Sequence, residues 1–238
     1  MEHLSYPNES TEYRKARNEL LDEEMALRAQ IEAVAAKRRA LPLGEVAQDY
    51  VFERIGKTSM PEQAKMSNLF GPHETLMLYS FMYGPEREWP CPGCTHLLDG
   101  MDGAARHIGQ RVALYIVAKS PIARLAAWAH ERGWEHLQFL STAGNSYDAD
   151  YFGDTSRFSA GMRAQHKVPN GENWDETIFN VFRKSNGKIT HFWGSEMSFA
   201  PSDPTQHHRA GDLADPLWGL LDMTPEGRGE FFPKVNYS

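Results

Sequence analysis

The sequence predicts an α/β fold: a mixed central sheet flanked by helices, with a long helix added at the N-terminus. Three observations predict it. Between Leu76 and Leu140, apolar runs of strand length alternate with segments of helical periodicity, the pattern of parallel strands joined by crossover helices. Further on, two alternating runs meet at Asn186-Gly187, the strongest short hairpin signal, which adds antiparallel strands to the sheet. The only two cysteines of the 238 residues, Cys91 and Cys94, fall in one Cys-Pro-Gly-Cys between a strand and a helix.

The elements follow in order, with residues 1–45 read as a helical arm and 46–238 as the main domain. Residues 11–40 read as one helix, capped by Ser10 or Thr11, with Glu12 in its first turn and Lys37, Arg38 and Arg39 in its last. Leu20, Leu27, Val34 and Leu41 recur every seven residues. Glu24 and Arg38 interrupt a second apolar row, so the stripe predicts packing on a globular body. Pairing with a second subunit as a short coiled coil, hence a homo-oligomer, is the alternative. Tyr50–Ile55 reads as a strand, Gly56-Lys57 as a turn, and Pro61–Phe70 as a short helix stopped by Gly71-Pro72-His73. Leu76–Met82 is an apolar strand suited to burial on both faces. The loop Tyr83–Pro90 leads to a helix whose Cys94, Leu97, Leu98, Met101, Ala104, Ala105 and Ile108 form one apolar stripe. A second buried strand spans Arg111–Val117. Ser120 caps and Pro121 opens a helix that ends at Gly133, and Leu137–Leu140 is a short strand. Residues 141–175 are polar and without periodicity, read either as a functional loop or as a solvated insertion. Thr177–Arg183 and Lys188–Gly194 form the hairpin, with Ile189, His191 and Trp193 expected on one face. Leu213–Met223 reads as a last helix, before an irregular tail with Phe231, Phe232 and Tyr237.

The chemistry concentrates at Cys91-Pro92-Gly93-Cys94. Cys91 precedes a proline, which pushes it out of helical geometry, and Pro92 suits the first helical position. Cys91 then becomes the N-cap, its sulfur facing the free amides of the first turn, where the helix dipole favours a thiolate. Cys94 follows one turn later, within disulfide reach, and its place on the apolar stripe turns it inward. This predicts a dithiol redox pair with Cys91 attacking and Cys94 resolving, acting on a protein or small-molecule thiol or disulfide without a cofactor.

Composition narrows the partners. The net charge is −7, and hydrophobic and aromatic residues make up 41% and 11% of the chain. An acidic chain does not predict nucleic-acid binding. There is no apolar run of about 18 residues, so no membrane span is expected. The N-terminal residues do not read as a secretory signal, so the expected location is cytoplasmic, where a lone Cys-x-x-Cys is reactive rather than a staple.

The order of strand, Cys-x-x-Cys helix, strand, helix, hairpin and helix looks like the thioredoxin fold. More narrowly, Leu78–Pro85, Cys91–Cys94, Val117–Pro121, Arg132-Gly133-Trp134, His191–Glu196 and Leu221–Arg228 resemble a bacterial family catalogued only as a domain of unknown function (number 899). The resemblance spans nearly the whole chain and implies a thioredoxin-like three-layer fold without a settled reaction. Two departures bear on function. Thioredoxins set a cis-proline against the motif, and here the corresponding stretch, Asp175-Glu176-Thr177, has none. Thiol peroxidases carry a proline and a threonine ahead of the reactive cysteine at positions that are Gly84 and Glu88 here, which disfavours a peroxidase of that type.

Supporting residues are expected around the pair: Trp89 as cover for the sulfur or a substrate platform, Pro92 within the motif, and Tyr79, Lys119, Thr177 and Glu196 from neighbouring elements. Two other classes compete. A metal centre would use the cysteines with His73, His191, His207 or His208, since His96 faces away from Cys94. A structural or interaction protein would keep the fold and use the arm for assembly.

Overall fold

A computed structural model describes residues 4–201 and 203–235. Tyr237 and the first three residues, on which part of the sequence reading rests, lie outside them. The chain divides into two compact units, Met1–Pro42 and Leu43–Ser238.

The first unit is α1 (Thr11–Arg39), a single helix of 29 residues. The Ser10 hydroxyl accepts the Tyr13 N–H at 3.1 Å, satisfying one of the free amides of the first turn. Arg17 pairs with Glu24 at 2.9 Å along its surface. The helix buries none of its own side chains.

The second unit contains β1 (Val51–Ile55), β2 (Pro61–Lys65), α2 (Met66–Leu69), β3 (Thr75–Ser80), α3 (Pro92–Ile108), β4 (Ala113–Ala118), α4 (Ile122–Arg132), β5 (Phe139–Ser141), α5 (Tyr147–Asp150), α6 (Ala160–Gln165), β6 (Phe179–Ser185), β7 (Lys188–Gly194) and α7 (Pro216–Leu221). The seven strands form one sheet in the order β2-β1-β5-β4-β3-β6-β7. Strands β3, β4 and β5 run parallel, while the outer pairs are antiparallel. This is a thioredoxin-like fold. Alternate residues of the central strands feed opposite layers: Tyr79 and Ile116 face α3 and α4, whereas Leu78 and Val117 face α2 and α5.

Four expectations change at the boundaries of elements. Pro61–Lys65 is an edge strand rather than a helix, paired with β1 from Val51↔Lys65 to Ile55↔Pro61, and helix begins only at Met66. Proline is tolerated at the start of an edge strand, and cross-strand pairing overrides the local preference of this segment. Ser120 does not cap α4; Pro121 is the cap residue, and the Ser120 carbonyl instead accepts the Ser141 hydroxyl at 2.8 Å. The last helix is only Pro216–Leu221, because Asp215 and Pro216 start it late. The register slips at Val181/Phe182, so that His191 lies opposite Phe182 and Trp193 opposite Val181, and the strict alternation expected for Ile189, His191 and Trp193 is broken there. The hairpin itself turns at Asn186 (φ 51) and Gly187 (φ 74), the left-handed pair that its sequence demands.

Residues 141–175 are an ordered insertion, with Tyr147, Asp148, Asp154, Thr155 and Phe158 all buried. Asp154 accepts from Asn173 Nδ2 at 3.0 Å, and the Thr155 hydroxyl accepts the Trp174 N–H at 2.9 Å. These bonds tie the middle of the insertion to its C-terminal end.

Candidate active site

Cys91 is the N-cap of α3, with φ −60 and ψ 124, and Pro92 takes the first helical position. Its N–H is held by the Met82 carbonyl at 3.1 Å, and its own carbonyl accepts the Thr95 N–H at 2.9 Å, which starts the helix. Cys91 is part-exposed and Cys94 buried, both as free thiols. The Cys91 thiol is lowered to about 6, first by a hydrogen bond from the Cys94 thiol, then by the backbone N–H groups of Cys94 and Gly93 and by the charge of Arg87. Cys94 moves the opposite way, raised because its proton bonds the Cys91 sulfur and because it is buried. The pair is therefore split into one thiolate facing out and one thiol held behind it.

Two hydroxyls, one buried and one part-buried, continue from Cys94. Tyr79, on β3, is 3% exposed; burial and the neighbouring Cys94 raise its pKa, so the phenol stays protonated. It donates to the Cys94 sulfur and accepts from the Thr177 hydroxyl. Trp89 stands 63% exposed, edge-on to Trp128 at 6.3 Å between ring centroids, so it is not a core residue. The C-terminal tail also reaches the motif: a methyl group placed on Gly93 would lie 3.3 Å from Phe232 Cζ. Phe232 was not legible as a neighbour of the motif, since nearly the whole domain separates them in sequence.

The loop before Cys91 is fastened by residues that no local pattern marks. Arg124, on α4, donates to the carbonyls of Gly84 (3.2 Å), Arg87 and Glu88 (3.0 Å), and its guanidinium lies 4.2 Å from the centre of the Tyr83 ring. Asp175 accepts the Gly84 N–H at 2.7 Å and pairs with Arg87 at 3.5 Å. A Cβ at position 84 would fall 2.7 Å from both Asp175 carboxylate oxygens. Glycine is thus needed at the position where thiol peroxidases place proline, and proline would also remove the N–H that Asp175 holds. The stretch Asp175-Glu176-Thr177 does lie against the motif's surroundings, as its sequence position suggested, with polar contacts in place of a proline. Glu176 is raised to about 7 by burial and the charge of Asp175.

The other expected residues go elsewhere. Lys119 pairs with Asp175 at 2.7 Å and Asp154 at 3.4 Å. Glu196 begins a short turn after β7, and its charge is felt by His191. His96 pairs with Asp215 at 3.0 Å, and His191 with Asn180 at 2.9 Å. Both His207 and His208 are exposed. Among the described residues, no three His, Cys, Asp or Glu side chains are grouped as a metal would need, and no helix is long and apolar enough to cross a membrane.

Over residues 4–237 the chain matches the family described as "Bacterial protein of unknown function (DUF899)". Comparison with curated proteins finds no match. Among solved structures, it is similar to peroxidoxin BcpB from Mycobacterium tuberculosis, at 15% identity over 73% of this chain and 94% of that one, with a TM-score of 0.45. Reduced Prx3 from Vibrio vulnificus, solved in complex with hydrogen peroxide, is 11% identical over 70% of this chain and 91% of that one, with a TM-score of 0.45. The antioxidant protein (1-Cys peroxiredoxin) of Plasmodium falciparum is 8% identical over 70% and 92%, with a TM-score of 0.48.

Proposed function

The chain belongs to this bacterial family of unknown function, and from its own residues we propose a dithiol–disulfide oxidoreductase in which Cys91 attacks and Cys94 resolves. One observation carries the reading: the part-exposed Cys91 caps the start of α3 with the buried Cys94 thiol one turn behind it, a placement that favours a thiolate at Cys91. A structural pair of thiols has no need of this asymmetry, whereas exchange chemistry does.

The steps balance as follows. The Cys91 thiolate attacks one sulfur of a substrate disulfide; the S–S bond breaks, and the first substrate sulfur leaves as a thiolate that takes up a proton. Cys94 then loses its proton and attacks Cys91 Sγ in the mixed disulfide. The second substrate thiolate leaves and is protonated in turn. Two electrons pass from the protein dithiol to the substrate, and Cys91 and Cys94 end as a disulfide. An external dithiol reverses the protein's oxidation by the same exchange. In this reading Tyr79, steadied by Thr177, stabilises the Cys94 thiolate as it forms. Pro92 fixes the helix start, and Trp89 offers an exposed apolar face beside the sulfur.

The test is a single turnover of pre-reduced protein with a small disulfide, followed by intact mass. The wild type is expected to release two thiols and lose two protons' mass. Cys94→Ser is expected to stop at a stable mixed disulfide on Cys91, and Cys91→Ser to react at least about a hundredfold more slowly. A Cys91→Ser protein that reacts as fast as the wild type overturns the proposal.

A further inference from the structure

We propose that the polar cavity at the C-terminal ends of β3, β4 and β5 recognises an ammonium group on the disulfide that Cys91 attacks. The inference rests on the oxidoreductase reading and names the substrate class for it: small or peptidic disulfides carrying a free amine close to the sulfur.

The cavity has a volume of about 770 Å³, in the range of small-molecule sites. Its place also fits a binding site, because the loops beyond the C-terminal ends of parallel strands converge on open space there. The loop Gly84–Arg87 after β3, Lys119 at the end of β4, and Thr142, Asn145 and Asp148 after β5 all line it. The ordered insertion supplies the remaining wall with Asp154, Asn173, Trp174 and Asp175. Arg87 lines the cavity and also acts on the Cys91 thiolate, so recognition space and reacting sulfur share a side chain.

The lining charges select the ligand. Lys119 is already committed to Asp154 and Asp175, and Arg87 to Asp175. Asp148 is different. It is 4% exposed, and among the described residues its carboxylate accepts one hydrogen bond, from the Thr142 hydroxyl, and forms no ion pair. Burial drives it to hold a proton, with Asp154 adding to the shift and Lys119 opposing it. A second buried polar group lies beside it. Among the described residues the Ser80 hydroxyl has no hydrogen-bond partner, and a Cβ on Gly153 would collide with Asp148 and come within 2.9 Å of the Ser80 oxygen. A ligand ammonium reaching Asp148 would let the carboxyl give up that proton and form an ion pair, and the same ammonium can donate to the Ser80 oxygen. With Glu86, Asp154 and Asp175 facing Arg87 and Lys119, the lining is net negative before Asp148 ionises, so an anionic disulfide is repelled.

The experiment compares three disulfides in single turnovers of pre-reduced protein: cystamine (two ammonium groups), bis(2-hydroxyethyl) disulfide (neutral) and dithiodiglycolate (two carboxylates). Each rate is normalised to that with dithiothreitol, which removes differences in intrinsic reactivity. Cystamine is expected to be favoured over the neutral disulfide by roughly tenfold or more, the worth of one charge-assisted hydrogen bond. That ratio is expected to fall below about threefold in Asp148→Asn. As a measurement independent of any variant, pentane-1,5-diamine is expected to inhibit reduction of the neutral disulfide competitively. If none of the three disulfides is reduced, the oxidoreductase reading fails and takes this inference with it. If all are reduced without a charge preference and the diamine does not compete, this inference alone is overturned.

Discussion

At the scale of residues, the proposed chemistry rests on unequal sharing of a proton. Cys94 keeps it, Cys91 gives it up, and the helix amides and Arg87 hold the resulting charge. Alkylation by iodoacetamide should therefore rise with a midpoint near pH 6 and be flat by pH 8. An unperturbed thiol would still be gaining reactivity at about 8.5. Tyr79→Phe removes the donor to the forming Cys94 thiolate. It is expected to slow release of the second thiol by about 3- to 10-fold, measured as decay of the mixed disulfide, while leaving the initial attack by Cys91 unchanged. Cys91, Pro92 and Cys94 were legible in the sequence because all their chemistry lies within one helical turn. Tyr79 and Thr177 could be placed nearby from the order of the strands. Arg87 and Arg124 could not, because their contacts join a loop to a helix that sequence patterns do not bring together; Asp175 could be placed near the motif only through the absent proline at 175–177.

The decisive element is the loop from Gly84 to Glu88, an irregular segment that aims the start of α3. It has no ladder of its own, so its carbonyls are satisfied by Arg124 and its first amide by Asp175. Arg124→Met keeps the apolar stem on the Tyr83 ring but strips the donors. Chemical denaturation is expected to show a loss of about 2 kcal/mol, and iodoacetamide labelling of Cys91 at pH 7 should slow as the loop loosens. Most elements were readable from periodicity and turn chemistry, including the Asn186-Gly187 turn and the stripe of α3. The failures at 61–65 and at Ser120 share a cause. In both, a hydrogen-bonding partner outside the local pattern decides the outcome, the adjacent strand β1 for 61–65 and Arg124, which donates to the Ser120 hydroxyl at 3.4 Å, for the serine, and local propensity is overruled.

For the whole molecule, the sheet separates two apolar layers, and the polar insertion closes one end of it with buried charge. Asp148 has its folded pKa raised to about 7 from an ordinary value of 3.8, mainly by burial. Its contribution to stability is complete below the unfolded value and is lost as pH rises through 7, because ionising it inside the protein is unfavourable. Asp148 faces Thr142, Asp154, Lys119 and Asp175; the Thr142 hydroxyl and then Lys119 oppose the shift, while the two carboxylates add to it. Asp148→Asn cannot ionise, so the melting temperature of the variant relative to wild type is expected to rise from pH 5 to pH 8; an unchanged difference would refute this account. None of this was readable from residues 141–175 as a string, since a polar loop and a buried polar wall have the same composition. The closing of Thr177, Asp175 and Phe232 around the cysteines carries a consequence for biosynthesis. Every one of these partners follows the motif by at least eighty residues in the chain. At about 5–20 residues per second, the nascent dithiol therefore leaves the ribosome several seconds ahead of these three side chains. During that interval it meets the redox milieu of the cell without the cover they provide.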